Sequence, residues 1–340
     1  MCSFSSFQVR LNPRRCWNQD LAIDLQPRNF RCLSGLEGYH PPLYDVWFCP
    51  ACQFAADHRQ FSNPLEGMFI RADMVSGHIR ELRQRNPGFR TVIEALGTDT
   101  DLGIQDFFRS IRLHLLSLFY VELIEALVKQ NIVDMGRASL RVGWIYRDLA
   151  ERPDQASAVQ PLLKNLAHTI HPHWPTAPFD EPSALRQASS RYMQSIEKSR
   201  LITDASDRVQ LLQIVGRIHL RIKEYEKAAE NLRAALASAR EARSRLDQEL
   251  KAKDSDDTAD QRAQKVSEVR RLTTLIDEAD RLVELAQEER LKNDTVKAKA
   301  LLAQVRSRSP EQQRAFLREN GITPRVISAL LPEEKRGMFG

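Results

Sequence analysis

A mainly α-helical protein, opening with a small β-rich module that carries the cysteines, is the fold class this sequence predicts. Three observations lead there. Glycine is scarce, at 13 in 340 residues, and from about Leu65 the chain is rich in Ala, Leu, Arg, Glu and Gln, the residues that cost least in a helix. Apolar residues then recur at helical spacing through most of the remaining length. All five cysteines, Cys2, Cys16, Cys32, Cys49 and Cys52, fall in the first sixth of the chain beside its only strand-like runs. The length suits two or three domains, read as a cysteine-containing, zinc-ribbon-like module at 1–63, a helical domain at 64–245 and a charged helical region at 246–340.

Within the first segment, residues 21–25 and 44–48 look like strands, separated by Pro and Gly breaks. So few apolar residues accompany them that a metal would have to supply the missing stability. After Pro64 the periodicity becomes helical. Residues 106–129 set Phe107, Ile111, Leu115, Leu118, Leu123 and Leu127 near one face, and 140–149 continue the signal after a break at 131–136. The expectation is an antiparallel helix pair. The stretch 113–128 is the most apolar in the chain, yet it holds His114, Glu122 and Glu125, each costly in a bilayer. It reads as a buried helix rather than a membrane span.

A proline-rich bend at 171–182 contains bulky residues and should pack across the helices rather than act as a flexible linker. Residues 204–245 then carry the clearest repeat signal. Gly216 in one helix, a turn at Tyr225, and Ala228, Leu232 and Ala235 in the next match a tetratricopeptide-like hairpin, in which small residues let two helices nest. Gly143 and Tyr146 share that spacing, but their expected partner half, 154–166, looks irregular and interrupted by Pro161. Residues 251–260 are almost wholly polar and mark a helix break. Val266, Val269, Leu272, Leu275 and Ile276, then Leu282, Leu285 and Leu291, restore an apolar stripe. That stripe could pair within the chain or between two copies in a coiled coil. Ser309, Pro310 and Glu311 open a capped short helix, and a last one fits 324–331.

The strongest chemical feature is Cys49-Pro-Ala-Cys52, because two thiolates three positions apart on a tight turn can both reach one tetrahedral zinc. A metal-free knuckle and a redox dithiol are the alternatives. His40 and His58 are spare ligand candidates. The run His168, His171 and His173 lies between prolines without nearby acids and reads as ordinary loop histidines over a packed Trp174. Gly35-Leu-Glu-Gly38 and Leu96-Gly-Thr-Asp-Thr100 are too short for phosphate loops. No nucleophile elbow or paired-histidine helix occurs, so no enzyme is expected. The charge of +5 is a small surplus of 50 basic over 45 acidic residues. The two signs are interleaved at helical spacing, as on a solvated face, which argues against nucleic acid as a partner. Clustered cysteines without a secretory leader point to a reducing, cytoplasmic setting.

Three stretches carry a family resemblance: 42–56, around Cys49 and Cys52; 136–147, with Gly143 and Trp144; and the repeat from Gly216 to Ala235. Together they resemble a bacterial family of uncharacterised proteins, DUF2225, over about Cys32 to Arg245. The resemblance implies a zinc knuckle joined to tetratricopeptide-like helices, and no known reaction. It makes Cys32 the third expected ligand, with Cys16 completing the set. Two departures stand out. An opening Cys-x-x-Cys is reduced to Cys2-Ser-Phe-Ser5, and the glycine that usually follows the second knuckle cysteine is Gln53, which should weaken the turn. The expected function is a protein-interaction scaffold whose helical groove binds a segment of a partner, with a structural zinc. A nucleic-acid reader built on the cysteine module is the competing class.

Overall fold

The computed structural model describes residues 15–36, 39–58, 61, 72–97, 106–128, 132–198, 204–252 and 258–332. The opening pair Cys2 and Ser5, Gly38, the stretch 98–100 and the 63/64 boundary lie outside them. Contacts divide the chain into two compact units, Met1–Ile218 and His219–Gly340. Helices dominate both, with eleven α-helices among the described residues.

The first unit opens with strands β1 (Cys16–Leu21) and β2 (Pro27–Cys32), which are antiparallel with Cys16 opposite Cys32 and Leu21 opposite Pro27. Of the strand expected at 21–25, Leu21 ends β1 and 22–25 lie in the turn between the two strands. Ala22 N–H donates to Gln26 O at 2.8 Å, and Leu25 takes φ 66°. Asp24 and Gln26 are each 1 % exposed, so tertiary contacts override the local apolar alternation. A short 3₁₀ turn at Pro41–Tyr44 leads into β3 (Val46–Phe48), which pairs antiparallel with β4 (Ala55–Asp57). The strand expected at 44–48 thus begins two residues later.

Helices α1 (Ala72–Arg85), α2 (Pro87–Gly97) and α3 (Phe107–Val128) follow. The periodicity at 106–129 located α3 to within a residue at each end. Leu113, Leu115, Leu116 and Leu118 are at most 2 % exposed, as suits a helix packed on most sides. His114 satisfies itself within the helix, its Nδ1 lying 2.8 Å from Ser110 O, and burial pushes its pKa down, so the ring stays neutral.

The break expected at 131–136 does not extend to Gly136, because α4 (Ile132–Ala150) includes it. A Cβ at Gly136 would lie 2.7 Å from the Tyr192 ring, and one at Gly143 2.9 Å from Leu185 Cδ2. These glycines are where α6 (Glu181–Lys198) crosses α4 closely, and the rising and falling numbers make the pair antiparallel. The partner of Gly143 is therefore α6, not the segment 154–166. That segment belongs to a continuous helix, α5 (Pro153–Ile170), with Pro161 inside it. Pro161 deprives the carbonyl of Ser157 of its donor, but both residues are exposed, so water takes the donor's place. The bend after α5 packs as expected. Trp174 is 4 % exposed, donates from Nε1 to Glu122 Oε2 at 2.8 Å and sits 5.0 Å from the Phe119 ring. Helix α7 (Ala205–Arg221) ends across the division between the units.

In the second unit α8 (Tyr225–Lys251) and α9 (Ala259–Gln304) run antiparallel. Arg290 pairs with Glu226, Arg240 with Asp280 at 3.0 Å, and Lys265 with Glu249 at 2.9 Å. The break expected at 251–260 falls between the last residue of α8 and the first of α9, with 253–257 outside the described residues. Ala228, Leu232, Ala235 and Ala239 on α8, and Leu272, Leu275, Ile276, Ala279 and Leu282 on α9, are the buried stripes of this hairpin. Of the stripe expected at 266–291, Leu272 to Leu282 is buried in this hairpin, while Val266 is 38 % exposed. Ser309 caps α10 (Pro310–Glu319) in the expected way, and α10 and α11 (Pro324–Leu330) pack Leu317, Val326 and Ile327 against Ala298. Among the described residues no helix is long and apolar enough to cross a membrane.

Candidate functional site

The expected metal ligands fall in two places. Cys16 and Cys32 face each other across the β1–β2 ladder as a disulfide, Cα to Cα 4.1 Å. Cys49 and Cys52 sit on the turn between β3 and β4, Cys49 buried and Cys52 half-buried. Cys49 N–H donates to Phe54 O at 2.8 Å, and Gln53 N–H donates back to Cys49 O at 2.7 Å. Gln53 takes φ 59°, the left-handed conformation that glycine would otherwise supply. The turn therefore survives the substitution. Arg83 of α1 holds it, donating to Cys52 O at 3.0 Å and to Gln53 Oε1. Among the described residues no three His, Cys, Asp or Glu side chains converge as a group that could hold a metal.

Of the spare ligand candidates, His58 lies 3.8 Å from Asp57, and His40 is engaged elsewhere. The loop histidines are separate: His171 Nε2 lies 3.2 Å from Ala177 O with its ring on Phe179, and the His173 ring fills the space beside Gly88.

What the sequence did not reveal is a buried ionic network where the first hairpin meets α4. Arg147 is 2 % exposed. It donates to Asp24 Oδ1 at 2.9 Å, to Asp24 Oδ2 at 2.6 Å, to Gln26 Oε1 at 2.5 Å and to Glu181 Oε1 at 2.8 Å. Burial opposes its charge, but the Asp24 and Glu181 carboxylates more than offset that. Trp144 Nε1 donates to Asp24 at 3.1 Å, and Gln26 Nε2 donates to Asp148 at 2.7 Å. Arg217 of α7 reaches the Ile23 carbonyl at 2.9 Å. The turn at 22–26 is thus clamped from two helices.

Beside this clamp lies an open groove of about 770 Å³. Residues 27–30 of β2 and the segment bearing Tyr39, His40 and Leu43 form one wall. The start of α3, at Asp106, Phe107 and Phe108, and the end of α4, at Asp148, Glu151 and Arg152, form its floor and head. The last wall is one face of α5: Gln155, Ala158, Val159 and Leu162, spaced i, i+3, i+4, i+7. Leu162 is 45 % exposed.

The polar groups of the groove are positioned by one another. His40 Nε2 lies 2.7 Å from Asp148 Oδ2, its ring between Phe30 at 5.6 Å and Phe107 at 5.9 Å. Arg28 Nη2 donates to both Glu151 oxygens at 2.6 Å, and its Nη1 approaches Asp148 at 3.5 Å. The Arg152 guanidinium stacks 5.0 Å over Phe107 and donates to the Asp148 carbonyl at 2.6 Å. A stacked guanidinium, an oriented imidazole and an aromatic floor can bind and orient a segment that is part apolar and part polar.

The uncharacterised bacterial proteins described as DUF2225 have a family model that matches residues 31–259, more than half of the chain. No curated protein and no solved structure matches it. The matched span covers the cysteine turn of β3 and β4, the α4 side of the clamp, the groove from Tyr39 onward and the α7–α8 sequence pattern, and the chain belongs to this family of uncharacterised bacterial proteins.

Proposed function

We propose that the chain is a non-enzymatic interaction scaffold of the cytoplasm, whose groove beside α5 receives a segment of a partner protein. The groove is the observation that carries this reading. At about 770 Å³ it is the size of a binding cleft. One wall is the α5 face with the partly exposed Leu162, a hydrophobic residue that the monomer leaves to water. The opposite wall is fixed by the Arg147 clamp, so a ligand would meet a preformed surface and lose little free energy to ordering it. The Gly216, Ala228, Leu232 and Ala235 pattern supports kinship with tetratricopeptide-like scaffolds, which bind segments in grooves. A photo-activated residue on the α5 wall tests the reading by forming, or failing to form, protein adducts.

The N-terminal module would be steadied by a structural zinc. The Cys49 and Cys52 turn fits half of a tetrahedral site, since both sulfurs leave one tight turn held by Arg83. Cys32 and Cys16 would complete the set only if, once the bond between them is reduced, the β1–β2 hairpin also moved to bring them to this turn. Zinc there would contribute folding free energy rather than chemistry. Elemental analysis of reduced, purified protein should return about one zinc per chain, lost in Cys49→Ser. Substoichiometric zinc that the substitution leaves unchanged contradicts the metal.

A further inference from the structure

We infer that the segment taken by the groove carries a single carboxylate next to a large apolar side chain, and that Arg152 is the group that reads the carboxylate. This rests on the scaffold reading above and specifies its partner.

A hydrogen-bond accounting of the groove points to the carboxylate. Its three acids are already engaged. Asp148 accepts from Gln26 at 2.7 Å, faces His40 at 2.7 Å and lies 3.5 Å from Arg28. Glu151 accepts from Arg28 Nη2 on both oxygens. Asp106, at the exposed rim, caps α3 by accepting from Arg109 N–H at 2.7 Å. The cations are not used up in the same way. Among the described residues the Arg152 guanidinium has no carboxylate partner, and its hydrogen bond is to the backbone carbonyl of Asp148. Arg152 lines the groove with its guanidinium over the Phe107 ring. The second ring nitrogen of His40 has no protein partner among the described residues either, its Nε2 facing Asp148 at 2.7 Å.

The remaining capacity of the site is therefore for an acceptor, and a planar guanidinium fork matches a planar carboxylate. A phosphate dianion suits it less, because Asp106, Asp148 and Glu151 would repel the second charge. The apolar neighbour is required by the rest of the lining. The half-buried Phe108 and Val159 and the exposed Leu162 offer nothing to a polar side chain and gain from being covered.

The test uses the full chain and two pools of fluorescein-labelled hexapeptides, read by fluorescence polarisation. One pool has Phe or Leu at the third position and Asp or Glu at the fourth, with other positions randomised. The second replaces the acids by Asn and Gln. The acid pool should bind at least about tenfold more tightly, the worth of one charge-assisted hydrogen bond. Arg152→Gln should abolish the preference for the acid pool over the amide pool, with a far-ultraviolet circular dichroism spectrum and thermal melt like those of the wild-type chain reporting an intact fold. A preference that survives the substitution overturns the role of Arg152. Leu162→Asp should weaken both. Equal binding of the two pools to the wild-type chain overturns the carboxylate inference and leaves the scaffold reading standing. If neither pool binds, both fall.

Discussion

Arg147 illustrates how one residue can join parts of the chain that carry no sequence sign of each other. Its partner Asp24 is 123 positions away. Nothing near Asp24 marks it as buried, and Leu21, Ile23 and Leu25 around it imitate a strand. Its pairing is decided by a helix that forms far downstream. Arg147→Met should cost about 3–5 kcal/mol of unfolding free energy in urea titration, because it leaves the Asp24 charge buried and uncompensated. The double variant Arg147→Met with Asp24→Asn should recover part of that loss. A double variant as unstable as the sum of its parts would contradict the pairing. Gln53 shows the opposite case. Its departure from glycine was visible in the sequence, and the expected weakening of the turn is offset by Arg83, whose contact with it could not be read from 30 positions away.

At the scale of elements, what was legible was what is encoded locally. The apolar period placed α3, and Ser309 announced α10 through its capping box. Thr258 with Gln261 caps α9 in the same way, a signature present in the sequence but hidden inside the polar run at 251–260. Glycine and proline were less informative because their meaning depends on neighbours. Gly136 suggested a break, yet it lies within α4 because Tyr192 needs the space. Pro161 suggested a break too, yet α5 runs through it on an exposed side. Two substitutions separate these effects. Gly136→Ala gains helix propensity but drives a Cβ to 2.7 Å from a buried tyrosine ring, so it should lose about 1–3 kcal/mol of stability. Gly77→Ala in α1 meets nothing within 4 Å and should gain about 0.5–1 kcal/mol. Paired thermal melts check both. A destabilised Gly77→Ala or a stabilised Gly136→Ala would show that the helix neighbours are misassigned.

On the scale of the whole molecule, each unit has its own architecture. The second is an α8–α9 hairpin closed by two short helices, and its stripe was legible because it repeats along one helix. The first is assembled from distant pieces, which is why its groove was not legible. β2, the segment before β3, and the ends of α3, α4 and α5 each contribute a few residues. Only the α5 face has a period of its own, and Leu163, Leu166 and Ile170 beside it draw attention to the buried side instead. The cysteine pattern was legible as a chemical feature, while the pairing of Cys16 with Cys32 follows from the register of β1 and β2.

Photo-crosslinking in cells of the native host tests the groove most directly. p-Benzoylphenylalanine would replace Gln155, exposed on the groove wall, or Lys164, exposed on the same helix but outside the groove. The groove reading predicts discrete protein adducts from position 155, lost when Leu162→Asp is added, and none from position 164. Adducts that form equally from both positions, or no adduct from position 155, would contradict it.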